Sequence, residues 1–208
     1  RLRTVTGVQT CALPIYATLK NIGPMLIITI VILLVQFVLR FVGAGFENNL
    51  LIVIWTILLF VVGLVLAMGL IRASLRVTDG GRPDVNQLTQ LDDFGPYVLV
   101  QIIAGIAIFV GLILCIIPGL IAAVLVGFGG YVVLDQHETD PIAAIKRSIE
   151  LVKPKFGPII GLLCLLFLIN ILGALLCGVG LLFTYPMTAI TMAYTYRSLG
   201  GQPIAPPN

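Results

Sequence analysis

Asp135, His137, Glu138 and Asp140 form the densest group of titratable side chains in the chain. A histidine among carboxylates can ligate a divalent metal or relay protons. His137 is the sole histidine, however, and the group sits in one short connector. A solvated loop and a helix cap account for it, so neither metal nor other cofactor is expected. Gln36, Gln101 and Asn170 lie inside apolar runs. Such groups serve as interhelical hydrogen-bond partners or as solute ligands. No Asp, Glu, Lys or His interrupts the middle of an apolar run, which counts against a proton-coupled pump. Lys146, Arg147, Lys153 and Lys155 flank an apolar stripe, Ile142, Ile145, Ile149 and Val152, that follows the helix start Asp140-Pro141. A helix of this pattern lies in the membrane interface with its basic side toward the headgroups. These four are the expected lipid-headgroup residues, and an anionic phospholipid is the expected partner. The chain has no P-loop, GxSxG or HExxH motif, and no catalytic residue is assigned.

The elements that must position these residues follow from composition. Of 208 residues, 59% are hydrophobic and 10% charged, against about 45–50% and about 25% in ordinary soluble domains. Mean hydropathy is +1.13. These figures exclude a disordered chain, a basic nucleic-acid-binding domain and an ordinary soluble enzyme. They predict an all-α polytopic membrane protein with six transmembrane helices. Runs of about 20 apolar residues span a bilayer core of about 30 Å. They occupy residues 25–45, 50–75, 97–134 (two short spans divided at Ile117-Pro118-Gly119), 159–177 and 179–199. Pro118 suits the first turn of the fourth helix and Gly119 the turn itself.

Basic residues set the orientation. Arg1, Arg3 and Lys20 precede span one. Arg72, Arg76 and Arg82 follow span two, Lys146, Arg147, Lys153 and Lys155 follow span four, and Arg197 ends span six. Only Arg40 lies toward the opposite side, where it either pairs with Glu47 or snorkels to the interface. Positive loops stay cytoplasmic. Both termini are therefore expected in the cytoplasm, with the protein in the plasma (inner) membrane.

The spans read as three hairpins of one repeated unit. Gly23-Pro24, Gly95-Pro96 and Gly157-Pro158 open the hairpins, and Arg72-Ala73-Ser74-Leu75 matches Arg197-Ser198-Leu199 at two exits. Short interfacial amphipathic helices are expected before hairpins two and three. The earlier one starts at Pro83-Asp84 with Val85, Leu88 and Leu91 on one face. The units cover about 16–80, 81–139 and 140–200 of a single membrane domain. Close-packing small residues are expected at Gly157/Gly161, at Ala123/Gly127 and at Gly129-Gly130. Tyr131, Tyr185, Tyr194 and Tyr196 are expected as interface anchors, and Cys115, Cys164 and Cys177 as buried small apolar groups.

Two resemblances complete the reading. Val5–Ile15, VTGVQTCALPI, resembles the in-frame translation of a common sequencing-library adapter, so residues 1–15 are expected to be foreign and the native start missing. Without Arg1 and Arg3 the formal charge of +3 falls to +1. In the second half, Pro141, Ala144 and Ser148 stand in a proline-initiated helix between the run ending at Asp135 and the Phe156-Gly157-Pro158 entry. This pattern resembles the membrane domain of bacterial glycerophosphoryl diester phosphodiesterases and its stand-alone uncharacterised relatives. The resemblance covers residues 97–199 best. It implies a membrane module without the hydrolase, which in those enzymes is a separate soluble barrel.

The favoured expectation is thus a non-enzymatic integral membrane module that contacts anionic lipid or scaffolds a protein partner. The alternative is a transporter or channel for a small or lipid-like solute, drawing on the repeat and on Gln101 and Asn170. No nucleic-acid partner is expected.

Overall fold

A computed structural model of the protein describes residues 22–175 and 180–204. The adapter-like residues 1–15, the basic residues Arg1, Arg3 and Lys20, the run 16–21 and Cys177 lie outside the described residues. Within them the chain is helical, without strands: α1 (Ile22–Gly43), α2 (Asn49–Thr78), α3 (Phe94–Leu114), α4 (Ile116–Val126), α5 (Gly129–Gln136), α6 (Pro141–Val152), α7 (Phe156–Leu175) and α8 (Leu181–Leu199). Among the described residues, five stretches are long and apolar enough to cross a membrane: Gly23–Gly43, Asn49–Thr78, Phe94–Leu114, Ile116–Gln136 and Pro141–Leu175. The fourth is α4 continued by α5, and the fifth is α6 running through a 3-10 turn, Lys153–Lys155, into α7. The chain is therefore a helical, membrane-embedded protein.

α8 is not among these five. It carries four threonines and three tyrosines, with Arg197 in its last turn. The hydroxyls of Thr188, Thr191 and Thr195 donate to the carbonyls of Thr184, Met187 and Thr191. Each hydroxyl is thus satisfied within its own helix. α8 packs on α1, α2 and α7. It feeds Ile190 and Tyr194 into one apolar cluster, with Met25, Ile28 and Leu70. Ala193 and Tyr196 enter another, with Tyr97, Phe128, Val133 and Val152.

Both clusters lie toward one end of the bundle. Buried residues of α2 begin at Leu64 and run to Thr78, whereas Leu50 through Ile54 are exposed. At about 1.5 Å per residue, 30 residues reach about 45 Å, some 15 Å more than the bilayer core. The charged residues of α2, Arg72 and Arg76, stand in its last turns, the end suited to headgroup level. The opposite half of the bundle presents large apolar side chains such as Phe37, Phe41, Phe109 and Phe167 to the surroundings, as lipid-facing helices do.

Glycine contacts close the helix pairs at that apolar end. The α3–α4 turn is the single extended residue Cys115 (φ −174°, ψ 156°). Gly119 is not the turn residue expected above. It is the fourth residue of α4 and packs on α3, where a Cβ on Gly111 would come within 2.8 Å of the Gly119 Cα. Gly173 and Gly180 meet likewise between α7 and α8, with a Cβ on Gly180 falling 2.6 Å from the Gly173 Cα. In the α1–α2 pair, the Trp55 indole lies over Gly43 and donates to the Leu39 carbonyl at 2.9 Å.

Other expectations need correction. No amphipathic α-helix precedes α3; residues Val85–Leu88 make one 3-10 turn. Leu88 and Gln87 are clamped against Gly69 of α2, and Arg72 takes the carbonyls of Gln90 and Asp92, so the segment is held too tightly to α2 to coil further. Val85 and Leu91 are exposed. Gly157 and Gly161 face open space and bring no helices together, whereas Gly129 and Gly130 pack against Val100 and Tyr97 of α3. Tyr131, Tyr194 and Tyr196 are buried core groups, not anchors. Phe128, Tyr131 and Tyr196 form an aromatic cluster with centroids 5.7–6.4 Å apart. Cys115 and Cys164 are exposed, not buried.

Candidate functional site: the polar end of the bundle

Gly23-Pro24, Gly95-Pro96 and Gly157-Pro158 all fall in first helical turns, of α1, α3 and α7. There a proline costs no helical hydrogen bond. Gln36 is half-buried on α1 and lies near Gly63 of α2. The Gln101 amide reaches only the Tyr97 hydroxyl, at 3.4 Å. Asn170 joins two helices: its Nδ2 donates to Thr188 Oγ1 and to the Leu166 carbonyl, both at 2.8 Å, and its Oδ1 accepts from Thr184 at 3.2 Å. Its polar valences are spent on holding α7 to α8. Arg40 and Glu47 are both exposed and make no ion pair with each other.

α6 starts as its sequence dictates. Asp140 accepts from the Ile142 N–H at 2.9 Å and Pro141 occupies the first turn. The face it buries is Ala144, Ser148 and Val152, at i, i+4 and i+8, rather than the isoleucine stripe. Ile142 is exposed, and Ile145 and Ile149 are half-buried. The reason is the break between α4 and α5. A helix end leaves its last carbonyls without intrahelical partners. Ser148 Oγ donates to one of them, the Leu125 carbonyl, at 2.7 Å. Ala144, fully buried, permits that approach. Lys146, Arg147, Lys153 and Lys155 remain exposed, with Arg147 pairing to Glu150 at 3.5 Å.

The titratable connector divides. Asp140 is the cap, and Glu138 accepts from the Asp140 N–H at 3.1 Å. His137 ends α5 in the left-handed region (φ 51°) and its Nδ1 lies 2.6 Å from Asp93, itself left-handed (φ 60°) before α3. Asp135 turns inward. It meets Arg197 Nη2 at 2.9 Å and accepts from the Tyr196 hydroxyl at 3.1 Å and the Gln202 amide at 2.8 Å. Arg197 also reaches Asp79 at 2.9 Å. One arginine thus ties the ends of α2, α5 and α8. Among the described residues no three His, Cys, Asp or Glu side chains are grouped to hold a metal.

Around this hub lies a pocket of about 310 Å³, walled by the last turns of α2, α5 and α8 and by the connector that leads to α3. Sequence reading missed it. Its residues come from four separate segments, each read locally as a loop or helix end. The one visible signal was that Arg72, Arg76 and Arg197 each stand near the end of an apolar run.

No family model matches the chain, and no solved structure matches it. Over 146 residues, 70% of this chain, it is 32% identical to the uncharacterized protein Rv2560 of Mycobacterium tuberculosis (strain H37Rv). The identity and coverage are the same for the uncharacterized protein Mb2590 of Mycobacterium bovis. The match covers 44% of each relative, so the chain is similar to less than half the length of the curated mycobacterial proteins it resembles.

Proposed function

We propose that this protein is a non-enzymatic module of the plasma (inner) membrane that holds anionic phospholipid headgroups along the basic face of α6. The observation behind this is α6 itself. Its small face, Ala144, Ser148 and Val152, is fixed to the bundle, while Lys146, Arg147, Lys153 and Lys155 stay exposed beside the exposed Ile142. Each basic residue near an anionic surface contributes about 1 kcal/mol. Glu150 offsets part of the Arg147 share, which leaves about 3 kcal/mol for the face.

The proposed topology has α8 as a sixth span and three hairpins, α1–α2, α3 with α4–α5, and α7–α8. The ends rich in Arg and Lys face the cytoplasm. The similarity of the Pro141, Ala144 and Ser148 pattern to the membrane domain of glycerophosphoryl diester phosphodiesterases supports a membrane module. A solute pathway is the weaker reading, because Asn170 is committed to the α7–α8 contact.

The test is native mass spectrometry of the protein released from nanodiscs of phosphatidylglycerol and phosphatidylcholine. Replacing Lys146, Arg147, Lys153 and Lys155 with glutamine is expected to strip the retained phosphatidylglycerol and leave thermal stability intact. Unchanged retention in the folded variant overturns the proposal.

A further inference from the structure

We propose that the pocket at the polar end binds a zwitterionic aminoalkyl phosphate, a group that carries one phosphate anion and one ammonium. This site is separate from the basic face of α6 and does not depend on it.

Charge balance is the first ground. Arg72, Arg76 and Arg197 line the pocket together with Asp79, Asp92 and Asp135, three cations against three carboxylates, and the remaining titratable lining group, His137, has its own carboxylate partner in Asp93. A lining of zero formal charge favours a ligand of zero net charge, since a lone anion or cation would leave one charge uncompensated. The net-basic face of α6 has the opposite preference.

Unmet hydrogen bonding is the second. Gln87 lines the pocket, is only 4% exposed, and its Oε1 has no partner. Arg197 spends Nη2 on its two carboxylates, while its buried Nε has no acceptor. Arg76 is exposed and pairs with no carboxylate among the described residues. The Asp92 carboxylate is 81% exposed and lies 3.9 Å from Arg72. The pocket lining therefore includes a buried acceptor, Gln87 Oε1, and a buried donor, Arg197 Nε, each of which costs free energy while unpaired, beside the solvated Arg76 and Asp92. A phosphate answers Arg76 and the Arg197 Nε; an ammonium answers Gln87 and Asp92. A simple anion fills half of the set and a simple cation the other half.

Depth is the third. The lining residues of α2 and α5 occupy the last turns of two membrane-length apolar stretches, where headgroups begin, with Arg197 of α8 and the connector residues Gln87, Gln90 and Asp92 beside them. The same chemistry can arrive as the headgroup of phosphatidylethanolamine or as free O-phosphoethanolamine.

Native mass spectrometry of the full chain from nanodiscs with equal phosphatidylethanolamine and phosphatidylglycerol, the rest phosphatidylcholine, tests the lipid source. Calorimetry with O-phosphoethanolamine in phosphatidylcholine nanodiscs tests the free one. The expected result is retained phosphatidylethanolamine, weakened about tenfold by Arg76→Gln and by Gln87→Leu, the loss of one hydrogen bond in each case. The Lys146→Gln/Lys153→Gln control should leave it unchanged. Arg76 is exposed, so its variant keeps the test valid if Gln87→Leu fails to fold. Binding of free O-phosphoethanolamine, with the same loss in Arg76→Gln but no retained lipid, supports the same chemistry from the soluble source. Retained phosphatidylglycerol, rather than phosphatidylethanolamine, that falls in Arg76→Gln, phosphatidylethanolamine binding indifferent to both pocket variants, or no binding of either probe overturns the proposal.

Discussion

Replacing Arg197 with methionine separates a structural hub from a surface ion pair. Arg197 is 13% exposed and meets two carboxylates at 2.9 Å that differ in burial: Asp135 is 9% exposed and Asp79 52%. The Asp79 pair is half solvated and contributes at most about 1 kcal/mol. The Asp135 pair is not solvated, and removing the arginine strands a buried carboxylate. Its remaining partners, the Tyr196 hydroxyl and the Gln202 amide, are neutral donors. Breaking such a pair from one side costs about 3–5 kcal/mol. At about 2–4 °C per kcal/mol for a chain of this size, Arg197→Met should lower the midpoint of thermal unfolding by about 6–20 °C. Asp79→Asn should lower it by less than about 4 °C, one kcal/mol on the same scale. The decisive variant is Arg197→Met/Asp135→Leu. With no charge left unpaired, it should recover most of the loss. Scanning fluorimetry of the four proteins in one detergent reads all these values. If Asp79→Asn matches Arg197→Met, or the double variant is no better than the single one, burial is not what sets the energetics of this hub.

Three further outcomes follow from single contacts. Ser148→Ala leaves the Leu125 carbonyl without its donor and should cost about 1–3 kcal/mol, read as a lower unfolding midpoint; a neutral result would show that this carbonyl finds another partner. Asn170→Leu should cost about 0.6–1.7 kcal/mol, the range for interhelical hydrogen bonds in membranes, with no change in any solute flux into proteoliposomes; a change in flux would revive the transport reading. Gly111→Val places new atoms where even a Cβ lies 2.8 Å from the Gly119 Cα, so the α3–α4 pair must open; about 1–3 kcal/mol of destabilisation is expected, and a wild-type melting curve would refute the close approach.

Apolar runs of about 20 residues made most of the helices legible, because a bilayer core leaves few alternatives to a helix of that length. Helix α6 was legible for a second reason. Asp140 and Pro141 fix its start chemically whatever it packs against. Its buried face was not legible. The isoleucines carry the stronger apolar pattern, yet Ala144 and Ser148 face the bundle, since what lies there is an unpaired carbonyl and a close backbone. The segment 83–91 failed the other way. Its apolar spacing suggested a helix, but Leu88 and Gln87 are clamped against Gly69 of α2, and Arg72, 18 residues away from Gln90, holds the segment's exit by the carbonyls of Gln90 and Asp92. The tyrosines were misplaced for a related reason. Tyr131 and Tyr196 resemble interface anchors by position, and only the tertiary fold reveals Gln136 and Asp135 beside the Tyr196 hydroxyl. The pocket was illegible because long-range pairing of Asp79 with Arg197, 118 residues apart, has no local pattern.

The distribution of spent and unspent polar groups locates where this bundle is able to act. At depth in the apolar spans, Asn170 is paired with Thr184 and Thr188 of α8, and Thr188, Thr191 and Thr195 donate to carbonyls of their own helix. A helix in lipid has to do this, because an open polar group there has no water to turn to. At the polar end the same rule is relaxed: Gln87 Oε1, Arg197 Nε and Gln202 Oε1 are buried and unpaired. A buried aromatic core of Tyr97, Phe128 and Tyr196 lies at the same end, so the open groups border a packed frame. A frame that is rigid and incompletely satisfied is what ligand binding exploits, since little ordering is left to be done when the ligand arrives. On the readings proposed above, the membrane-spanning half serves as the anchor, and recognition falls to the polar end, at the pocket between α2, α5 and α8 and at the separate basic face of α6.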